Sequence, residues 1–466
     1  MPQTRALERL TASDLFLLLW DDYGWCTDIG GLAILDGSAL LDGDGEVRIE
    51  TVRARLGPRV HMVPSLRQRL LRPGWGLGWP LWVDKPDFDI AECVRVHPVA
   101  APGDEAQLLR ACEELARTRL DPAQRLWELW LLPGLQERRV GALLRMHHAL
   151  ADGAAAMAAF GALLDLAGDA PSPVAPPWTP SPLPSRAELL RDNLRRRGSE
   201  LGRGWSGALH PRRTLRGVRQ TLPAWREVLT DKPAPRTTLN RPVGTDRRLV
   251  LVRSRLDVAR EVAHAHHAKV NDVVLAAVAG GLRDLLASRG ENAPGLVQRA
   301  MVTISEHQDP SRAQGNRPGW MMVPLPLGEP DALRRLELIA VETAARKGRA
   351  RPEAGTGIFR FVAGQRVWYR MFPRQRAVNL VVTNVPGPPV PLHLAGARIL
   401  ELFPVMPVMG NLTLVVGVLS YDGQLNVTAV ADRDGCPDVE VFTRGVSRAL
   451  DDMARSVSRE LELAVS

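Results

Sequence analysis

The sequence has no long hydrophobic run and few cysteines. No stretch of about 18 apolar residues occurs among its 466 residues, so no membrane-spanning helix is predicted. The apolar residues 15–20 are too short for a signal-peptide core and have aspartates on both sides, so we expect a protein that stays in the cytoplasm. Four scattered cysteines without a CxxC pair predict reduced thiols and no zinc site.

Lysine is also scarce, and the positive charge is unevenly distributed. The chain carries 60 basic and 52 acidic residues, a net charge of +8, and nearly all of the excess lies between Arg186 and Arg219. The preceding residues 170–184 include seven prolines, which no helix or central strand accepts, and this predicts an extended linker. We therefore predict a first lobe at 1–169, a proline-rich linker and basic helical connector at 170–235, and a second lobe at 236–466.

The apolar pattern predicts a mixed fold of the α/β or α+β class. Apolar residues make up 45% and charged residues 24%, which is ordinary for a globular protein and excludes a disordered or collagen-like chain. The predicted strands are residues 31–35, 93–99, 127–132, 139–146, 249–254, 301–305, 320–326, 378–383, 412–419 and 424–430. The predicted helices are residues 104–117, a segment after Asp152, 258–267, 273–286, 332–346 and the residues after Asp438.

The sharpest chemical signal is the segment 147–153, with the sequence HHALADG, between a predicted strand and a predicted helix. A histidine has an unperturbed pKa of about 6.5 and can act as a general base near neutral pH. We assign that role to His148 and a supporting role to His147. Asp152 is expected to hold the loop together, and Gly153 allows a tight turn.

Other interpretations of this segment remain open. The histidine pair could be structural, and Asp152 could be only the N-cap of the following helix. His148 and Asp152 could also share a metal, but the sequence supplies no further ligand cluster, so no metal site is expected. A GxSxG nucleophile pattern is absent, which favours direct transfer of a group without a covalent enzyme intermediate.

The segment resembles the HHxxxDG motif of acyltransferases related to chloramphenicol acetyltransferase and to peptide-synthetase condensation domains. The whole chain is similar to one branch, the bacterial wax ester synthase/diacylglycerol acyltransferase family. The segments that carry this resemblance are LTASD (10–14), FDI (88–90), PGD (102–104), LD (120–121), LWE (126–128), RTTLN (236–240), VNDVVL (270–275), NVPGP (384–388) and SYDG (420–423). Two positions depart from it: Arg125 replaces the proline of the family's PLW motif, and Cys93 stands where a histidine is expected.

The resemblance implies two chloramphenicol acetyltransferase-like lobes, with a central tunnel and the histidine loop at its middle. It implies that a fatty acyl-CoA is a substrate, that no cofactor is needed, and that the acceptor is a long-chain alcohol or a diacylglycerol. Asn271 is then a possible donor to the oxyanion formed from the thioester carbonyl. The same residue could instead be only the N-cap of a long apolar helix.

The basic connector suggests a lipid surface as a partner. Leu190, Leu194 and Leu201 share one helical face with arginines around it, a pattern typical of helices that bind anionic membranes or lipid bodies. A second apolar series runs through residues 215–229. A solvated connector packed on its own lobes is the alternative, and no nucleic acid is expected because no base-reading module accompanies the patch.

Together these features predict an acyl-CoA-dependent O-acyltransferase that forms wax esters, triacylglycerol or both, and lies at the periphery of a membrane or lipid body. Two alternatives stay open. The enzyme could esterify a hydroxylated specialised metabolite, for which Arg125 is a mild argument. The chain could also be a non-catalytic homologue that binds lipid bodies or membranes.

Overall fold

A computed structural model describes residues 7–26, 28–150, 160–175, 177–209, 233–291, 294–304, 319–347 and 369–465. The strands are β1 (Asp28–Asp36), β2 (Gln68–Leu71), β3 (Leu81–Asp84), β4 (Val94–Val96), β5 (Trp127–Leu132), β6 (Arg139–His147), β7 (Leu164–Asp165), β8 (Arg247–Arg255), β9 (Val297–Ile304), β10 (Gly319–Pro326), β11 (Leu380–Pro386), β12 (His393–Leu394), β13 (Ala397–Val405), β14 (Leu414–Tyr421) and β15 (Gln424–Asp432). The helices whose bounds are given are α1 (Ala12–Asp22), α2 (Ile49–Met62), α3 (Ile90–Cys93), α4 (Glu105–Arg117), α5 (Arg186–Leu209), α6 (Leu256–Ala265), α7 (Val270–Ser288), α8 (Ala332–Lys347) and α9 (Val439–Val465).

The strands form two large sheets and one hairpin. The first sheet has the strand order β4-β5-β6-β1-β13-β12-β7, and the second has the order β10-β9-β11-β14-β15-β8. Strands β2 and β3 pair with each other in the first half of the chain. The predicted mixed architecture with two lobes is therefore confirmed, each lobe having its own sheet.

Strand β13 crosses from the second half of the chain into the first sheet. It runs antiparallel to β1, with Gly30 opposite Val405, and β12 continues the pairing to β7. The predicted boundaries assigned all residues from 236 onward to the second lobe. That assignment needs correction, because residues 393–405 complete the sheet of the first lobe.

Apolar patterning explains how each lobe buries its core. Helix α7 is apolar on nearly all sides and lies inside the second lobe, packed against α8 and α9 in one apolar cluster with the second sheet. A β-carbon on Gly281 would come within 2.5 Å of the Phe442 carbonyl oxygen, so the absence of a side chain allows α7 and α9 to pack closely. At the start of α4, the Asp104 carboxylate accepts a hydrogen bond from the Gln107 amide, which fixes the predicted first turn.

A third apolar cluster joins the two lobes. It combines Leu32 and Leu143 of the first sheet with Leu251 and Val415 of the second. Trp20 of α1 stacks on Phe372, with ring centroids 5.9 Å apart. Burial of this shared surface fixes the two sheets relative to each other.

The linker and the connector pack on the first lobe. Residues 177–185 have no helix or strand, as predicted, and the guanidinium of Arg67 lies 4.2 Å from the ring centroid of Trp178. The connector helix α5 starts at Arg186, and its Leu189 is buried against Leu81 and Val83. The predicted second apolar series, residues 215–229, falls outside the described residues. No helix in the described part of the chain is long and apolar enough to cross a membrane.

Glu113 of α4 supplies a polar contact between the lobes and generates a prediction. The Glu113 side chain is buried. One carboxylate oxygen accepts a hydrogen bond from the Leu249 amide at 2.9 Å, and the other accepts one from the Arg433 guanidinium at 2.7 Å. Glu113→Ala leaves both donors without this acceptor, so we expect a loss of about 2 kcal/mol of stability in chemical denaturation. The exposed neighbour Glu114 provides the matched control, Glu114→Ala. Equal stability of the two variants would contradict this role for Glu113.

Candidate active site

The histidine loop lies at the C-terminal end of β6. His147 is the last residue of that strand, and His148 begins a short 3₁₀ turn that ends at Leu150. Strand β6 is buried beside β1, with Asp28 opposite His147, so the loop leaves the middle of the first sheet. Asp152 and Gly153 lie outside the described residues, and the roles predicted for them stay predictions.

The structure places His147 where it can hold the loop. Its side chain is fully buried, and its Nδ1 accepts the backbone N–H of Ala149 at 3.1 Å. Because Nδ1 is the acceptor, a neutral ring carries its proton on Nε2. This N–H donates a hydrogen bond to the carboxylate of Asp21 in α1. The ring therefore ties the loop to α1, and this geometry supports the positioning role predicted for His147.

A buried polar cluster lies next to this contact. Arg145 on β6 forms ion pairs with Asp28 at 2.5 Å and with Glu128 at 3.5 Å. Burial raises the pKa of Asp28, and the charge of Arg145 opposes that rise. Cys26 donates to Asp28, and burial raises the pKa of its thiol to about 12. That thiol stays protonated at neutral pH, so it is a poor nucleophile.

His148 lines a narrow cavity of about 110 Å³ between the two sheets. Its walls come from β1, β6 and β13 of the first sheet and from β11 and β14 of the second. Among the described lining residues, only His148 and Thr383 have polar side chains. His148 brings a titratable group into this apolar space, and the tunnel implied by the resemblance stays a prediction.

Sequence reasoning missed Thr383. It lies on β11, where Thr383 and Val385 point to the His148 cavity while Asn384 and Pro386 line a different one. Side chains alternate between the two faces of a strand, so the sequence shows that Thr383 and Val385 share one face of β11. That this face lines the His148 cavity follows only from the position of β11 in the structure. Its hydroxyl can donate a hydrogen bond inside the His148 cavity.

Asn271 lies elsewhere. It is the second residue of α7, and it lines a separate cavity of about 400 Å³. Its side-chain oxygen accepts a hydrogen bond from Asn384 at 3.3 Å. The alternative interpretation as an N-cap is wrong, because the cap position belongs to Lys269, whose amide donates to Asp272. The role of Asn271 as an oxyanion donor stays a prediction, and Asn271 is not among the residues that line the His148 cavity.

The two departures from the family pattern meet near one edge of the first sheet. Arg125 forms an ion pair with Glu128 at 2.7 Å, and its charge acts on the thiol of Cys93. Cys93 is buried, and burial raises its pKa to about 12. Neither side chain is among the residues that line the His148 cavity. The argument from Arg125 for a specialised acceptor therefore loses its structural basis.

No three histidine, cysteine, aspartate or glutamate side chains form a metal-binding group in the described part of the chain.

Comparisons with known proteins agree with this geometry. Residues 10–274 match the family model of the wax ester synthase/diacylglycerol acyltransferase catalytic domain, and residues 314–454 match that of the WS/DGAT C-terminal domain. A probable diacylglycerol O-acyltransferase of Mycobacterium tuberculosis is 29% identical over 438 residues, which cover 91% of this chain and 90% of that protein. A second Mycobacterium tuberculosis protein whose name gives the same activity is 30% identical over 447 residues, covering 91% of this chain and 92% of that protein.

Solved structures share the fold. The wax ester synthase/diacylglycerol acyltransferase from Marinobacter aquaeolei VT8 is 22% identical, with a TM-score of 0.69 over 97% of this chain and 100% of that one. The first condensation domain of the calcium-dependent antibiotic synthetase is 17% identical, with a TM-score of 0.61 over 97% of each chain. The fold with two lobes is thus shared with both. The chain belongs to the wax ester synthase/diacylglycerol acyltransferase family and is an O-acyltransferase.

Proposed function

We propose that the protein transfers a fatty acyl group from coenzyme A to the hydroxyl of a long-chain alcohol or a diacylglycerol, and so forms wax esters, triacylglycerol or both. The observation that carries this proposal is the position of His148 in an apolar cavity between the two sheets of a family member. Apolar walls suit an acyl chain, and one titratable ring among them suits a proton transfer.

His148 acts as the general base. Its Nδ1 is buried, so we assign the proton transfer to Nε2. The acceptor hydroxyl gives its proton to this nitrogen while its oxygen bonds to the thioester carbonyl carbon. The carbon–sulfur bond then breaks, and the coenzyme A thiolate takes the proton back from His148. Such proton transfer contributes about 10²- to 10⁴-fold in rate.

The apolar lining also disfavours hydrolysis. Water competes with the alcohol for the same thioester, and a cavity whose other walls include Leu144, Phe403 and Leu419 offers water few hydrogen-bond partners. A lipid acceptor gains free energy by burying its apolar chain in this cavity, whereas a water molecule gains none in this way. The lining therefore favours ester formation over loss of the acyl group to water.

The developing oxyanion needs a donor, and two residues compete for that role. Thr383 has a hydroxyl in the His148 lining. Asn271 has the family motif in its favour, but lies on the opposite side of β11. We assign the contact to Thr383 because a donor must lie within hydrogen-bond distance of the reacting carbonyl.

His148→Ala is expected to abolish acyl transfer and leave the fold intact, because the ring lies at a cavity wall. His147→Ala is expected to retain more activity but to melt at a lower temperature, since it loses the contact with Asp21. Release of free thiol from palmitoyl-CoA, with a panel of fatty alcohols, diacylglycerol and hydroxylated metabolites, measures the activity.

His148→Ala activity within tenfold of wild type would remove His148 from the base role. If wild type transfers the acyl group only to hydroxylated metabolites, the acceptor is a specialised metabolite and not a lipid. A folded wild-type protein inactive with every acceptor would indicate a lipid-binding homologue without catalysis.

Thr383→Val keeps the shape of the side chain and removes its hydroxyl. We expect kcat to fall about 10²-fold, the usual cost of one lost oxyanion donor. Asn271→Ala, measured in parallel with the same acyl-CoA and alcohol, decides between the two donors. If kcat falls in Asn271→Ala and stays within a few-fold of wild type in Thr383→Val, the assignment reverts to Asn271.

We also propose that α5 and the neighbouring loop contact an anionic membrane or lipid body. Leu190 and Leu194 are 45% and 60% exposed on α5, although Leu189 beside them is buried. Trp75 is fully exposed, and it lines a surface cavity together with Arg196 and Arg197. Exposed leucine and tryptophan with arginines around them match the composition of an interfacial surface. The side chain of Leu201 lies outside the described set.

Replacing Arg195, Arg196 and Arg197 together with Gln should weaken sedimentation with anionic liposomes, since each basic residue contributes about 1 kcal/mol near such a surface. Binding by wild type should also fall as salt rises. The control replaces the exposed Arg334, Arg444 and Arg455 on the second lobe with Gln, which removes the same charge. An equal loss of liposome binding in both triple variants would contradict a docking role for α5. Absence of liposome binding by wild type at low salt would contradict it as well.

A further inference from the structure

A surface cavity next to the connector helix has features of an anion site. It measures about 520 Å³ and lies between α5 and residues 72–80, which join β2 to β3. Arg9, Arg196 and Arg197 line it, and none of its described lining residues is acidic. We call this space the arginine cavity. A lining with three guanidinium groups and no carboxylate matches a ligand with negative charge.

One aspartate contacts two of these arginines and leaves the cavity positive. The Asp192 carboxylate pairs with Arg9 at 2.6 Å and with Arg196 at 3.4 Å. Arg9 is buried, and its guanidinium also donates to the Leu189 carbonyl at 3.2 Å, so it forms part of the wall. The Arg196 side chain is 50% exposed, and Arg197 is exposed and forms no ion pair within the described part of the chain. Arg196 and Arg197 are therefore the cations that a ligand can reach.

The loop beside the cavity is held in a defined position. Asn193 of α5 is buried, and its side-chain amide donates to the Gly76 carbonyl at 2.7 Å. At Gly78 the angle φ is +95°, and a β-carbon there would lie 2.8 Å from Nη1 of Arg9 and 3.0 Å from Oδ1 of Asn193. Glycine thus lets the loop pack directly on these two side chains. The same loop presents Trp75, which is fully exposed and also lines the cavity.

Exposed apolar side chains lie next to these arginines on α5. Leu190, Leu194 and Arg197 follow the i, i+4, i+7 spacing and therefore share one face of the helix. The two leucines are exposed, and Arg197 lies almost one turn beyond Leu194, about 5 Å further along the helix axis. A soluble anion such as a free phosphate does not use such a face. A phospholipid does, because its acyl chains adjoin its phosphate.

We propose that the arginine cavity binds the phosphate of one anionic phospholipid, whose acyl chains lie on the side of Leu190, Leu194 and Trp75. This inference rests on the proposed contact of α5 with an anionic surface and assigns that contact a lipid and a site. The planar guanidinium groups of Arg196 and Arg197 each donate two hydrogen bonds to phosphate oxygens, a geometry that lysine does not offer. A defined site also fixes how the protein lies on the membrane, whereas net charge alone does not.

The first test keeps the net charge and changes only the shape of the cations. In Arg196→Lys/Arg197→Lys, binding to mixed phosphatidylglycerol/phosphatidylcholine vesicles, measured by sedimentation, should weaken about tenfold, because lysine lacks the fork that binds a phosphate through two hydrogen bonds. Arg191→Lys/Arg195→Lys is the matched control, since both arginines are exposed on α5 and neither lines the cavity. The control should bind as wild type does. Equal binding by the two double variants would overturn the headgroup site, and the docking of α5 by net charge would remain.

A second measurement separates a lipid from a free phosphate ion. Dihexanoyl phosphatidylglycerol, kept below its critical micelle concentration, supplies the headgroup and short chains without a membrane. Titration calorimetry should show one saturable site for this lipid on wild type, and weaker binding in Arg196→Lys/Arg197→Lys. Failure of the lipid to bind, or equally tight binding of inorganic phosphate, would overturn the proposal. This measurement decides the headgroup site even if wild type fails to sediment with vesicles, a result that would contradict the proposed docking of α5.

Discussion

The pairing of β13 with β1 is the contact on which the rest of the structure depends. It places a strand from the second half of the chain next to β1, the central strand of the first sheet. Side chains of the second sheet hold the same strand: Asn426 donates to the Leu402 carbonyl at 3.0 Å, and Gln424 to the Leu400 carbonyl at 2.8 Å. Strand β13 therefore joins both sheets, and Leu402 and Phe403 form part of the wall of the His148 cavity.

The two adjacent histidines have different surroundings, and this difference explains why a pair is useful. His147 is buried and uses both ring nitrogens in contacts, with Ala149 and Asp21, so it holds backbone in place. His148 lies one residue further along, beyond the end of the strand, and its ring reaches the cavity. In the proposed function, the His148 ring exchanges a proton with the substrate while His147 fixes the turn on which it lies.

The sequence predicted local structure better than long-range pairing. The strand at Trp127–Leu132 has the predicted bounds, and the helix predicted at 104–117 begins one residue later, at Glu105, with Asp104 as its N-cap. An apolar period and an N-cap determine these elements locally. Strand β13 was not predicted, since its partner β1 lies more than 350 positions earlier in the sequence. The same reason applies to Thr383: no local motif shows that β11 faces the histidine loop. His148 was predictable because its motif is contiguous, whereas the cavity around it is formed by five separate strands.

On this account, the reaction takes place between the two sheets, at His148. The most direct measurement is a crystal structure of His148→Ala with palmitoyl-CoA and a long-chain alcohol bound. The account predicts the thioester carbonyl and the alcohol oxygen together in the cavity between β1, β11 and β13, with the vacated imidazole position beside the alcohol. A thioester bound outside that cavity, or an acyl chain covalently attached to the protein, would contradict it.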